Sequence, residues 1–260
     1  MSRYTVVFLA LLLVLSAVQV RAEDLSGTDI MTLVDDRPDG DDRTSVITMT
    51  LLNKRGRKRV REVKSYSKDF GRDKRSIMVF LEPADVRKTA FLSWEYDDPD
   101  RDDDKWLYMP AMRKTRRISG ASQNEYFMGT DFTYDDMGKR RVFEDTHRLL
   151  GEDTVEGHAC WMVESIPVDP EDMYTRKTVW VRKDASVVVK AEYYDKDGLL
   201  KIYKALDVRN HGGFWTVFHS EMDNVVREHK TFMLTSSMTY DTGLGENLFR
   251  VATIQRGWMQ

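Results

Sequence analysis

Apolar and polar positions alternate with a period of two along most of this chain, first where Ile47, Met49 and Leu51 interleave with Thr48 and Thr50. Such a run packs one face and shows the other to water, the pattern of a half-buried β-strand. The same alternation predicts strands at 57–66, 76–81, 90–96, 105–109, 147–150, 160–166, 175–182, 187–194, 199–208, 214–222 and 230–240. Their connections carry turn residues, as in Asn53-Lys54-Arg55-Gly56, Asp195-Lys196-Asp197-Gly198 and His211-Gly212-Gly213, and short links between neighbouring strands imply an antiparallel meander. Two stretches depart from the pattern. Ser26-Gly27-Thr28-Asp29 reads as a capping box followed by Ile30, Leu33 and Val34 at helical spacing, so one short helix opens the domain and ends before Pro38 and Gly40. Between Pro110 and Asp145 the alternation weakens, which predicts a long loop with a short helix.

A long antiparallel sheet must protect its edges and cover an apolar face, and one helix cannot cover a dozen strands. The expected fold is therefore mainly β: an antiparallel sheet that curls on itself, with the helix as a partial lid over an interior that is filled or hollow.

The N-terminus sets the compartment. Arg3 precedes an apolar run over 6–18, and Val20-Arg21-Ala22 follows as a small-residue cleavage pattern, so residues 1–22 read as a secretory signal peptide and 23–260 as one soluble periplasmic domain. Removing Arg3 and Arg21 takes the formal net charge from −3 to −5, which argues against a nucleic-acid partner. Cys160 is the only cysteine and lies in the apolar run Cys160-Trp161-Met162-Val163. No internal disulfide can form, and the thiol reads as a small buried hydrophobe.

Local signatures of hydrolase, zinc, phosphate-loop and thiol-redox chemistry are missing, and the five histidines show no ligand spacing. No catalytic residue, cofactor or metal site is expected. The acidic runs Asp35–Asp42 and 97–104 lack the ligand spacing of a calcium loop and read as solvated turns. Two basic groups stand out. Lys54-Arg55, Arg57-Lys58-Arg59 and Arg61 place charge on both faces of one strand, which predicts an exposed or edge strand; Arg113-Lys114 and Arg116-Arg117 form the second group. As a functional alternative, Arg57, Arg59, Arg113, Arg116 and Arg117 would rim a cavity and meet an anionic headgroup or acidic partner.

Composition sharpens the interior. Fourteen Met, six Trp and eleven Phe suit either a packed core or a surface that accepts flexible chains. Several stretches, in order, resemble the outer membrane lipoprotein-sorting proteins of LolA-like fold. They are Val34-Asp35-Asp36-Arg37 with Asp39-Gly40-Asp41-Asp42; Lys64-Ser65-Tyr66-Ser67-Lys68-Asp69-Phe70-Gly71; Phe80-Leu81-Glu82-Pro83-Ala84-Asp85-Val86; and Thr89-Ala90-Phe91-Leu92 with Trp94. Trp106-Leu107-Tyr108-Met109-Pro110-Ala111, Arg116-Arg117-Ile118 and Phe127-Met128-Gly129-Thr130-Asp131-Phe132-Thr133-Tyr134-Asp135-Asp136-Met137 complete the set.

The resemblance implies a curled antiparallel sheet forming an incomplete barrel, with helices covering its open concave face and a hydrophobic cavity between them. It also implies a periplasmic, non-enzymatic carrier that holds acyl chains of a lipid or lipoprotein and works with an inner-membrane lipid exporter. Candidate cavity residues are Met49, Leu51, Met78, Phe80, Phe91, Trp94, Trp106, Tyr108, Phe127, Met128, Phe132, Met137, Trp161 and Trp180, with 127–137 as a mobile flap or, equally, a plug. The alternative is a periplasmic sensor or interaction module whose groove reads a protein partner. An outer-membrane barrel is disfavoured by strands such as 57–66, charged on both faces. Nothing in the sequence specifies an oligomeric state.

Overall fold

Ser26 accepts the backbone N–H of Asp29 while the Asp29 carboxylate accepts that of Ser26, and this reciprocal cap starts α1, Gly27–Asp35. The computed structural model describes residues 25–256, so the expected signal peptide at 1–22 lies outside the described residues. Ile30 is fully buried and anchors the helix against the sheet.

Thirteen strands follow: β1 Asp42–Leu52, β2 Lys58–Phe70, β3 Asp73–Glu82, β4 Ala90–Glu95, β5 Asp104–Met109 and β6 Lys114–Ile118, then β7 Asp145–Val155, β8 His158–Pro167, β9 Arg176–Arg182, β10 Val187–Asp195, β11 Gly198–His211, β12 Phe214–Asn224 and β13 His229–Tyr240. All belong to one antiparallel sheet in the order β6-β5-β4-β3-β2-β1-β13-β12-β11-β10-β9-β8-β7. Every neighbour is a chain neighbour except β1 and β13, which pair at the centre. The two edges, β6 and β7, are successive in sequence and are joined by a connector, residues 119–144, that crosses from one edge to the other.

The sheet is strongly curled, and two ion pairs prove it. Lys105 on β5 binds Asp135 and Lys201 on β11 binds Asp136. Those strands stand seven places apart in the sheet, a separation of about 34 Å if it were flat, yet their ammonium groups meet adjacent connector residues.

β6 was not expected. Only its Ile118 is buried, so the strand shows no alternation, and an edge strand needs none to gain one ladder. The first basic group, by contrast, is not on an edge strand. β2 is internal, yet Lys58 and Arg59 are exposed as expected, because they pair with β1 beyond the point where the β2–β3 ladder begins at Glu62, whereas Arg61 is buried.

A C-terminal strap crosses the outer face. Asp42 accepts the backbone N–H groups of Thr242, Gly243 and Leu244 at 2.8–2.9 Å. Burial opposes the Asp42 charge, but these donors prevail and hold its carboxyl below the usual range. The strap lays Phe249 over Tyr66, Ile77, Val79, Leu92 and Tyr108 and then runs into α2, Val251–Gln255, which adds Ile254 to the same cluster.

Candidate functional site

The connector is the centrepiece of the inner face. Its first part is a tight loop in which Phe127 N–H donates to Phe132 O at 2.7 Å and Tyr126 bridges Thr133. Met128 and Gly129 take φ of 49° and 78° to make the reversal, which Gly129 does without strain. The loop drives Phe127, fully buried, among Phe80, Phe91 and Tyr134, with ring centroids 5.2–5.9 Å apart. Arg61 donates to Met128 O and lies 5.7 Å from the Phe80 ring. Of the two readings of 127–137, flap or plug, this packing favours the plug.

Buried charge fastens the middle of the connector. Asp131, with no exposure, accepts Thr231 Oγ1 at 2.7 Å and pairs with His229 Nδ1 at 2.6 Å. Asp136 accepts Lys201 Nζ, the Tyr174 hydroxyl at 2.9 Å and the Thr133 N–H at 2.6 Å. Lys201 also donates to Asp131 O at 3.1 Å and has no solvent exposure. Burial pulls its ammonium below the ordinary lysine range against the pull of Asp136, and burial together with Asp136 pushes the Tyr174 phenol far up. For Asp135 burial opposes the charge, but Lys105 and Arg140 overcome it and keep the carboxyl low.

Beyond the plug the interior opens. A cleft of about 490 Å³ lies between Met31 and Val34 of α1, Phe132 and Met137 of the connector, and a floor that includes Val179, Ala191, Tyr203 and Met233. It shares Met31, Val34, Arg37, Met137, Arg140 and Asp145 with an adjoining compartment of about 370 Å³, lined further by Met78, Lys74 and Arg141. One end is apolar and the other is ringed by charge. Such volumes fall in the ~300–1,000 Å³ range of small-molecule sites.

The candidate cavity residues divide among three places. Met78, Phe132 and Met137 line the open space. Met49, Leu51, Phe80, Phe91 and Phe127 are packed solid, with Met128 against them. Trp161 packs beside α1 on the inner face. Trp94, Trp106, Tyr108 and Trp180 are corrected: they point outward, the first three under the strap, where Trp94 Nε1 donates to Phe249 O at 2.8 Å, and the last beside Cys160. Strand parity is the reason, since Phe91 and Leu92 are neighbours in sequence and lie on opposite faces. Cys160 is fully buried, and burial raises its thiol pKa.

The proposed rim is also displaced. Arg57, Arg59, Arg113, Arg116 and Arg117 are exposed, and none lines the cleft or its adjoining compartment. Arg116 pairs with Glu125 at 2.9 Å and Arg117 with Asp104. The cations that do reach the opening are Arg37, Arg43, Lys74, Lys139, Arg140 and Arg141. The run Lys139-Arg140-Arg141, directly after the aromatic and acidic stretch of the connector, was the available signal for half of them.

On the connector's polar flank, burial raises the Asp103 carboxyl to about 6, opposed by Lys105 and assisted by Glu95. An acid raised in this way weakens the fold as pH climbs from about 4 through 6, because the folded state then gives up a proton it holds more tightly than the unfolded chain does. Asp103→Asn keeps an acceptor for the Tyr96 N–H. It is expected to gain roughly 1–3 kcal/mol at pH 7.5 and nothing near pH 4. Urea unfolding at both pH values checks this; a gain of equal size at both would refute the assignment.

An unclosed antiparallel half-barrel, helix-lined and hollow on its inner face, is the LolA-like fold. A LolA superfamily protein from Nitrosomonas europaea superposes with a TM-score of 0.69 at 19% identity, over 88% of this chain and 99% of that one. The chain itself belongs to the DUF1329 family: a member from Desulfovibrio piger is 34% identical, with a TM-score of 0.84 over 88% of this chain and 97% of its own. A family model described as "Uncharacterized protein" matches residues 72–256. A Vibrio parahaemolyticus domain named for outer membrane lipoprotein sorting is 29% identical, with a TM-score of 0.83 over 88% of this chain and 98% of its own. No curated protein matches.

Proposed function

We propose that this protein is a periplasmic, non-enzymatic carrier that shields the acyl chain of a lipid or lipoprotein in the cleft beneath α1 and hands it on between membranes, with an inner-membrane lipid exporter as its donor. The observation that carries this reading is the cleft itself. Its Met, Val and aromatic lining offers deformable apolar contact, and each methylene withdrawn from water is worth about 0.8 kcal/mol. The name of the Vibrio parahaemolyticus relative supports the same direction.

Delipidated protein should bind a fluorescent C16 fatty acid. Ala191→Trp, which fills the cleft from its floor, and Val217→Trp, which fills it from another wall, should each weaken binding by about ten-fold or more. Unfolding curves serve as the control for stability. Absence of fatty-acid binding by the parent protein, with no lipid in organic extracts of freshly purified material, would sink the carrier reading and favour a groove that receives a protein partner.

A further inference from the structure

Among the residues lining the compartment that adjoins the cleft, most charges cancel. Lys74 pairs with Asp39, Lys139 with Asp35 at 2.7 Å, and Arg140 with Asp145 at 2.6 Å. What remains is Arg37, Arg43 and Arg141 against Glu95, which is buried and accepts Ser93 Oγ at 2.7 Å. The excess is positive.

Arg141 is the unusual member. It is only 6% exposed, yet its Nε and one Nη are buried with no hydrogen-bond partner. An unmatched buried guanidinium N–H is costly, so such groups in folded proteins are normally satisfied. Arg75 also has a buried, unpartnered Nε, but Phe70 and Trp94 stack on its guanidinium at 4.1 and 4.3 Å and close it off. No aromatic ring stacks on Arg141 among the described residues, and its side chain borders both the compartment next to the apolar cleft and the outer opening. Arg37 borders the same two spaces and the apolar cleft itself. Its Nη1 donates to Ser186 O at 3.2 Å, while its Nε is again buried and unpartnered. Two arginines from different segments thus present unused donors where the apolar cleft meets the opening.

We infer that Arg141 and Arg37 bind the oxyanion headgroup, carboxylate or phosphate, of a single-chain amphiphile whose tail lies in the cleft. This rests on the carrier reading and deepens it. Guanidinium forks match the oxygens of either group, and a desolvated setting strengthens the contact. Of the carboxylates lining the compartment, Asp35, Asp39 and Asp145 are already paired and Glu95 accepts Ser93 Oγ; the outer opening adds Asp97, paired with Arg72, Asp69, which shares Lys74, and Asp36, Asp41 and Asp241.

Three ligands of equal chain length test it on the full delipidated protein: hexadecanoate, hexadecyl phosphate and hexadecanol. At least one anionic ligand should bind about ten-fold or more tightly than the alcohol. Arg141→Gln should bring it to the alcohol's level and leave alcohol binding unchanged. Arg37→Gln should remove part of the preference, and Arg141→Lys should keep part of it, which guards against a variant that merely misfolds. The preferred anion identifies the headgroup. Equal binding of all three ligands, or a preference that survives both Gln variants, overturns the headgroup site while leaving the carrier reading intact; Arg141 is then a hydrated arginine only. Failure of all three to bind removes both readings. Inorganic phosphate should not raise Tm; a rise that Arg141→Gln abolishes would reassign the arginines to a free anion and overturn the inference.

Discussion

Asp136→Ala should lower the free energy of unfolding by about 3–5 kcal/mol, the cost of stranding one partner of a buried ion pair. Lys201 has no solvent exposure, and its other described hydrogen bond is to Asp131 O. Without Asp136, burial drives the ammonium towards neutrality. The Tyr174 hydroxyl and the Thr133 N–H lose the same acceptor. The deficit carries a pH signature: a lysine whose folded pKa is depressed is more stable in the fold as pH rises towards its ordinary value, so the loss should shrink between pH 7 and 10. Chemical denaturation across that range measures it. A loss under about 1 kcal/mol at pH 7, the scale of exposed pairs, would mean that the pair is solvated and that the connector is not fastened there.

Phe127→Ala is expected to cost a further large amount, about 3–5 kcal/mol, as for other fully buried aromatics cut back to a methyl group. Its ring sits against three others and is sealed by the loop that carries it. This substitution separates plug from flap. A flap spends time open and has little packing to lose, so a cost below about 1 kcal/mol would restore the mobile reading, whereas the full cost makes the segment part of the core. Hydrogen exchange at Phe127 and Thr130, whose backbone N–H groups bond Phe132 O and Phe127 O, gives an independent check.

Strand positions were legible wherever one face is apolar and the other polar, as at Ile47, Met49 and Leu51, and the capping box placed the start of α1. The handedness of that pattern was not legible. Phe91 and Trp94 look equally suited to an inner wall, but their parity differs and only the assembled sheet decides which face is inside. The buried lysines were hidden for a related reason. Lys105 and Lys201 occupy strand positions where a charge ordinarily signals solvent, and their partners Asp135 and Asp136 lie far away along the chain. Arg141 carried no local sign of an unpartnered donor, because hydrogen-bond satisfaction is a property of the folded neighbourhood.

The placement of the two sheet edges has an evolutionary consequence. Since β6 and β7 are successive in the chain and the described N- and C-terminal strands meet at the centre of the sheet, the connector is the one link between the edges. No ladder among the described residues spans that gap, so the length and packing of the connector set how far apart the edges stand. Insertions or deletions there leave every strand register as it is. The sheet is thus a frame that can stay fixed while a single 26-residue stretch is rewritten to admit a differently shaped guest.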